Sequence, residues 1–381
     1  MEAISVYKTP DYTDEALERA VGGHFEALNL PALLRPEMKV TLKVNLLMRR
    51  RPEEATTTHP ALVRAVIRRL KAEGITHITI ADSPGGPYTT GALSGIYGAT
   101  GMAALAEEEG VALNQTTGWK ELSFPGGKVC HGFNIIEPVA GADLVINLPK
   151  LKTHAMTQLS GGVKNLFGCI PGLQKPELHF RFTDKKTFSG MLVDLSQLVA
   201  PGVTILDAVV AMEGDGPSSG TPRTVGLTLA STSPHALDLG LCHMMDMRPD
   251  EVFTVALGIE RGLIPPAFDP ACLVGEPEAF SVITDFKKPA SRSTDFSDNM
   301  PAFLRRPMAF IRERFLAPRP VIHRTGCIGC GKCAESCPAK VITLRERKAY
   351  INYKGCIRCF CCHEMCPVKT IHISQSKLMK W

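Results

Sequence analysis

The sequence predicts an α/β body, with a mostly parallel sheet and helices on both faces, followed by a small α+β unit. Three observations carry this prediction. Over residues 1–285, apolar strand-like runs alternate with amphipathic helix-like runs, the pattern of βαβ crossovers. Nine of the thirteen cysteines fall within residues 327–366, eight of them in two copies of one spacing. The charge balance also reverses: residues 1–285 hold 24 Lys and Arg against 32 Asp and Glu, whereas residues 321–381 hold 11 against 3.

Ile4–Tyr7 reads as a short strand and Asp14–Leu28 as an amphipathic helix whose N-cap is Thr13. Met38–Leu47 alternates as a buried strand. His59–Glu73 then reads as a helix stopped by Gly74, and Ile75–Ala81 as the strand that completes a βαβ unit. Asp82–Gly86, DSPGG, follows at the carboxyl end of that strand, the edge where open α/β sheets bind ligands. Further helices are predicted over Tyr97–Glu109, Phe188–Leu198, Pro234–Met247 and Arg248–Gly262. Further strands are predicted over Ala142–Leu148, Val203–Val210, Thr224–Ser231 and Leu273–Ile283. Residues 286–320 are rich in Pro and Arg and read as a basic linker, with an amphipathic helix over Ala302–Leu316. Residues 321–381 are the second unit.

At 381 residues the chain has length for two or three domains. A hydrophobic fraction of 44% and a charged fraction of 21% are those of ordinary globular proteins. No apolar run reaches the roughly 18–20 residues that cross a bilayer, so no transmembrane segment is expected. The first residues have neither a basic nor an apolar signal region, and a cytoplasmic, reducing, oxygen-poor setting is expected. Nucleic acid is not an expected partner: aromatics are 6%, and the basic residues do not interleave with stacking rings. A basic C-terminal unit beside an acidic body either docks onto it within the chain or simply presents solvated faces.

Cys327, Cys330, Cys333 and Cys337 stand at C-x2-C-x2-C-x3-C before Pro338, and Cys356, Cys359, Cys362 and Cys366 repeat that spacing before Pro367. Three thiolates two residues apart wrap one face of an iron–sulfur cube, and the fourth reaches the other cube. One [4Fe-4S] cluster is therefore expected on Cys327, Cys330, Cys333 and Cys366, and a second on Cys356, Cys359, Cys362 and Cys337. A zinc ribbon would need paired knuckles with a long gap, and the third cysteine at the same step is superfluous for zinc. Disulfides do not suit a reducing compartment. Cys361 is extra and reads as a spectator thiol. This region resembles bacterial two-cluster ferredoxins over about fifty residues, which implies a small ferredoxin-like α+β fold, electron transfer and a redox partner protein.

A second constellation begins at Asn147, NLPKLKTHAMTQLSGGVKNLFGCIPG, and runs on through Lys175 to His179. Lys150, Lys152, His154 and Lys164 follow the end of a buried strand. Gly161 and Gly162 precede a helical turn whose free N–H groups could face an anion, with Asn165 just beyond. These residues either bind an anionic small molecule or solvate a loop. In Asp207–Arg223, DAVVAMEGDGPSSGTPR, Glu213 and Asp215 alternate with glycine. Such an acid pair binds metal, exchanges protons or receives lysines; the same residues also make turns. Cys169 reads as a nucleophile, a ligand or a small buried hydrophobe; for Cys130, Cys242, Cys272, His235 and His243, packing is expected.

TTTHPALVRAVIRRLKAEG, IADSPGG, INLPKLKTH, GGVKNLFG, DAVVAMEGDGP and LASTSPHALD, in that order, resemble the family called domain of unknown function 362 over residues 1–285. The first half is also similar in fold pattern to the N-terminal domain of nickel-pincer racemases. The family resemblance implies an α/β body with iron–sulfur association, and its motif positions here are Lys152, His154, Lys164, Asn165, Glu213, Gly214 and Gly216. Three functions are consistent with these readings. In the first, an oxidoreductase passes electrons from two clusters to an anionic substrate or to a cofactor such as flavin or a further metal. There Lys150, Lys152 and Lys164 hold the anion, His154 moves protons, and Glu213 or Asp215 assists. The others are a non-catalytic carrier whose body docks a partner enzyme, and a metal or cofactor maturation protein.

Overall fold

The computed structural model describes residues 1–291 and 318–374. The body opens with β1 (Ile4–Lys8) and α1 (Asp14–Ala27), whose first turn is capped by Thr13. β2 (Lys39–Val44), α2 (Pro60–Ala72) and β3 (His77–Ala81) form the expected βαβ unit, with β2 and β3 parallel. Pro60 stands at the first helical position, where a missing N–H removes no intrahelical bond.

The single helix expected over Tyr97–Glu109 is instead two, α3 (Thr90–Ala99) and α4 (Met102–Glu109). Gly101 lies between them at φ 78°, a left-handed conformation that interrupts the helical ladder. β4 (Ala112–Leu113) follows, then β5 (Trp119–Ser123) and β6 (Gly132–Ile136), which pair outside the main sheet, and α5 (Glu137–Ala140). Next come β7 (Leu144–Leu148), β8 (Lys150–His154), β9 (Gln158–Ser160), α6 (Gly162–Asn165), α7 (Gln174–Arg181) and α8 (Lys185–Val199). β10 (Val203–Glu213) and β11 (Thr221–Ser231) outrun their apolar stretches because they share one long antiparallel ladder. α9 (Pro234–Met244) is followed by α10 (Phe253–Glu260), shorter than the helix expected over Arg248–Gly262 because Pro249–Glu251 forms a separate 3-10 turn. The strand expected over Leu273–Ile283 stops at β12 (Leu273–Gly275), where Gly275 turns at φ 84° and Pro277 opens another 3-10 turn.

The sheet order is β12-β1-β11-β10-β7-β2-β3-β4, with β8 and β9 branching from β10. Neighbours from β10 to β4 are parallel, and β11 runs antiparallel to β10 and β1. The body is thus α/β with a mostly parallel sheet. Val40, Leu42 and Val44 join a core with α1 and α2 on one face. Ala81 and Val145 join Phe188 and Leu192 of α8 on the other. Lys43, between Leu42 and Val44, alternates to that second face, and burial there makes its partner decisive.

The C-terminal unit repeats one plan twice. β13 (Arg319–Ile322) pairs with β16 (Ile371–Ser374), and β14 (Ile342–Arg345) pairs with β15 (Lys348–Ile351). Short helices α11 (Lys332–Glu335) and α12 (Cys361–Glu364) follow the two cysteine loops. Of the expected linker, Phe286 is buried in the body core and β13 starts at Arg319. The helix expected over Ala302–Leu316 lies outside the described residues.

The unit docks on the body. Phe360 and Ile373 bury against Ala155. The Ser218 hydroxyl donates to the Glu364 carbonyl at 2.7 Å, and His363 Nε2 lies 3.2 Å from the Asp215 carbonyl. Lys369 faces Glu54 at 3.7 Å, the one ion pair in which a basic residue of the unit meets an acid of the body among the described residues. Packing and neutral hydrogen bonds therefore set the interface more than the opposite net charges do.

Candidate functional site: two thiol-lined cavities beside a cationic one

Each cysteine spacing closes around a cavity. Cys327, Cys330, Cys333 and Cys366 line one of about 330 Å³, and Cys337, Cys356, Cys359 and Cys362 line another of about 320 Å³. Burial pushes the Cys333 thiol up to about 11, helped by Cys330, Cys327 and Cys366, and Cys356 is raised by burial and by Cys359 and Cys337. Apart from Thr370 in the first, the side chains of the walls are otherwise apolar: Ile322, Ala349 and Ile371 around the first set, Val341, Ile342 and Ile351 around the second. Among the described residues no three His, Cys, Asp or Glu converge tightly enough to hold a single metal ion. Four thiols spread around a small apolar cavity fit a polynuclear cluster, whose ligands stand farther apart than those of one zinc.

A third cavity, about 730 Å³ including its open mouth, lies where the C-terminal unit meets the body. Lys152, His154, Lys164, Lys175 and His179 line it from the body. Cys361, Glu364 and Met365 of α12 and the residue after it, with Ser336, line it from the other side. The sheet explains the body half. β8 leaves the end of β7 and carries Lys152 and His154 in alternate positions, while the loop after β3 brings Asp82–Gly86 to the same edge.

The lysines there do different things. Lys152 Nζ donates to Asn45 Oδ1 at 2.9 Å and to the Thr56 carbonyl at 2.7 Å, and burial draws it down to about 7. Lys175 Nζ donates to the carbonyls of Ser83 (2.7 Å) and Ile170 (2.6 Å), tying the DSPGG loop to the segment before α7; burial draws it also to about 7. Lys164 differs. Its ammonium sits 4.6 Å from the Phe167 ring centre, and among the described residues it has no hydrogen-bonded or ion-paired partner. It is the cation of this cavity left available to a ligand.

His154 is set for one tautomer. Its Nδ1 accepts from the backbone N–H groups of Met156 (3.0 Å) and Thr157 (3.3 Å), which puts the ring proton on Nε2. That Nε2 is buried and without a hydrogen-bond partner, with the Glu364 carboxylate 3.8 Å away. Burial holds the ring neutral, well below the usual imidazole range, with Lys164 adding to the effect. His179 stacks on Phe188 at 4.2 Å, is pulled down to about 3 by burial, and leaves Nδ1 unpartnered. Asn165 accepts from Asn45 (2.8 Å) and donates to Asn147 (2.7 Å), so it braces the residue that holds Lys152.

Several expected site residues are used elsewhere. Lys150 turns away from the cavity into a fully buried pair with Asp207 at 2.9 Å, shared with the Tyr12 hydroxyl at 2.7 Å. Gly161 and Gly162 do not offer an open anion nest. The Asp238 carboxylate already accepts from the N–H groups of Gly162 (2.6 Å) and Val163 (3.1 Å). Glu213 lies off the cavity, paired with Arg223 at 3.1 Å and Lys287 at 3.2 Å, and so does not face the space that His154 and Lys152 line, contrary to the catalytic part expected for it. Asp215 accepts from the Ala290 N–H at 2.8 Å and lends its carbonyl to His363. Cys169 is buried and pushed up to about 12, the state of a packing thiol rather than a nucleophile. His235 bonds Ser196 at 2.8 Å and His243 stacks on Phe268 at 4.7 Å, which makes both packing residues.

Other contributors were not singled out in the sequence. Lys43 and Asp82 form a buried pair at 2.8 Å under the cavity floor, and Asp82 also accepts from the Leu46 N–H at 2.8 Å. Gly168 lies so close that an added Cβ would stand 2.1 Å from the Asp82 carboxylate. The DSPGG stretch was a signal for Asp82. Nothing local marked Glu364 or Met365, and Cys361 reads from the sequence only as a spectator thiol; all three matter because α12 is laid against β8.

Comparison with known proteins agrees with this layout. Residues 40–243 match the family described as "Domain of unknown function (DUF362)", and residues 319–367 match a 4Fe-4S dicluster domain. A thylakoid-associated protein of Synechocystis sp. is 31% identical over 297 residues, covering 76% of this chain and 88% of that protein. The lactate racemase apoprotein of Thermoanaerobacterium thermosaccharolyticum shares 15% identity at a TM-score of 0.39, over 64% of this chain and 56% of that one, too weak a likeness to carry an argument. Among the described residues no helix is long and apolar enough to cross a membrane. The C-terminal unit is a 4Fe-4S, electron-transfer module of the ferredoxin type, and the chain that carries it belongs to the domain of unknown function 362 family.

Proposed function

We propose that this protein is an iron–sulfur oxidoreductase that exchanges electrons with an anionic ligand held in the cavity between body and module. One observation carries the reading. The free ammonium of Lys164 and the unpartnered Nε2–H of His154 face the same space as Cys361 and Met365, which flank the two thiol sets. Cys327, Cys330, Cys333 and Cys366 would hold one [4Fe-4S] cluster, and Cys337, Cys356, Cys359 and Cys362 the other. Bound there, the clusters supply one-electron chemistry. Lys164 binds the anionic group, His154 donates a hydrogen bond through Nε2, and Lys152, Asn45 and Asn165 hold the wall in place. Glu364, 3.8 Å from His154, is placed to take up or return a proton from the module side. A reducing, cytoplasmic and oxygen-poor setting suits thiolate-held clusters of this kind.

The test starts from protein purified without oxygen and reduced by dithionite, then freed of excess reductant. Carboxylates that carry a reducible bond, 2-oxo acids and 2,3-unsaturated acids, are added in turn, and the return of the oxidised cluster absorption is followed. At least one anion class should reoxidise the protein, and Lys164→Gln and His154→Gln should slow that step about 10-fold or more with iron content unchanged. Reoxidation by every anion at the same rate in wild type and both variants would overturn the proposal.

A further inference from the structure

The two thiol-lined cavities differ in how they meet solvent. Around the first, Ile328 is 54% exposed, Leu344 45% and Val368 42%, and all three line the cavity together with the exposed Cys330. None of the large exposed hydrophobic residues among those described lines the second cavity. Exposed apolar side chains at one spot, around a ligand-type thiol, are costly to leave in water and mark a surface that meets something. The rim is basic. Lys332, Arg345 and Arg347 are exposed next to these residues along the chain, with Glu335 and Glu346 the exposed acids near them, and residues 321–381 as a whole carry 11 Lys and Arg against 3 acids.

Charge identifies the class of occupant. The two segments of this chain outside the described residues are themselves basic in sequence: residues 292–317 carry five arginines against three acids, and residues 375–381 carry two lysines and no acid. A basic rim repels both, so the chain's own segments are poor candidates to cover it. The body is already docked on the α12 side of the module.

We propose that the surface formed by Ile328, Cys330, Leu344 and Val368, rimmed by Lys332, Arg345 and Arg347, is the docking site for an acidic one-electron carrier protein. The apolar centre excludes water over the shortest route to the first thiol set, and the basic rim steers and orients the acidic partner. An acidic flavodoxin is a suitable probe. Its anionic hydroquinone gives one electron to the oxidised cluster and remains as the neutral semiquinone, so charge and protons balance without a further reactant. The proposal rests on the thiols holding clusters, which iron and sulfide analysis tests separately; it is independent of what the inner cavity binds.

The experiment uses the full chain with its clusters. Affinity for oxidised flavodoxin is measured at about 0.05 M and about 0.3 M salt, for wild type, Lys332→Glu and Arg345→Glu/Arg347→Glu. Binding should weaken about 10-fold or more with salt and by a similar factor in each variant. Electron transfer from the hydroquinone should slow in parallel, while reduction by dithionite and the iron content stay unchanged. A basic cytochrome c, run alongside, should bind more weakly than the flavodoxin. No measurable flavodoxin binding, equal affinity in all three proteins, or a preference for the cytochrome overturns the proposal. So does binding of the chain to anionic lipid vesicles that the same variants abolish, which would assign the surface to a membrane.

Discussion

The thiol sets and the cationic cavity achieve order in opposite ways. Each thiol set draws on two short loops, and burial with the neighbouring sulfurs raises Cys333 in one set and Cys356 in the other, so the arrangement is held against mutual repulsion once the thiols ionise. The cavity gathers side chains from β8, α6, the loop after β3, the segment around α7 and α12, and it neutralises most of its charges internally. A ligand set of the first kind is completed by what it binds. The second is completed by its own scaffold, with Lys164, His154 and the Nδ1 of His179 left over among the described residues. That contrast locates where change should matter.

The largest effect is expected on the side that depends on what it binds. Cys333→Ser or Cys362→Ser should cut iron from about eight to about four per chain, and the module's resistance to proteolysis should fall with it. Unchanged iron in either variant would break the contrast, since it would mean that the thiol is not needed. Next is the scaffold beneath the cavity. Lys43→Met strands the buried Asp82 carboxylate and should cost about 3–5 kcal/mol in chemical unfolding of the body. The iron content should stay normal, because no thiol of either set leans on that pair.

A smaller effect sharpens the difference between scaffold lysines and the free one. Lys164→Gln should leave body stability within about 0.5 kcal/mol while anion binding weakens about 10-fold. The pH dependence separates their parts further. Lys152 has a folded value of about 7 against 10.5 ordinarily, so between those values the unfolded chain carries more protons. Its contribution to stability therefore rises as pH climbs from about 7 toward 10.5, whereas its help to a bound anion fades over the same climb. Titrating anion affinity from pH 6 to pH 9 should show loss centred near neutrality. Affinity that rises with pH would contradict it. The smallest effect concerns the joint between the regions. Ser218→Ala removes the 2.7 Å bond to the Glu364 carbonyl and should loosen the module by about 1 kcal/mol, seen as faster hydrogen exchange in α12.

Much of the body was legible because its strands and helices are local. Thr13 as a cap, the βαβ unit from β2 to β3, and the strand over Leu144–Leu148 need only short-range periodicity and capping chemistry. The errors share a cause. Gly101, Pro249 and Gly275 each cut an element that apolar patterning alone would extend, since pattern reports burial and not backbone turns. Among the basic residues after Asn147, composition could not separate Lys150 from Lys164. Both follow an apolar strand; only one finds a carboxylate, and Asp207 lies 57 residues away.

The sequence by itself determined the eight-thiol spacing, the α/β class and the family, because each is written in neighbouring residues or in motifs of fixed order. Tertiary structure alone decided that Asp238 fills the glycine turn, that Glu213 pairs with Arg223, and that α12 forms a wall of the cavity. Those outcomes depend on which buried charge reaches which partner across the fold. The cost of leaving a charge unpaired in the interior settles that choice, and it acts through space rather than along the chain.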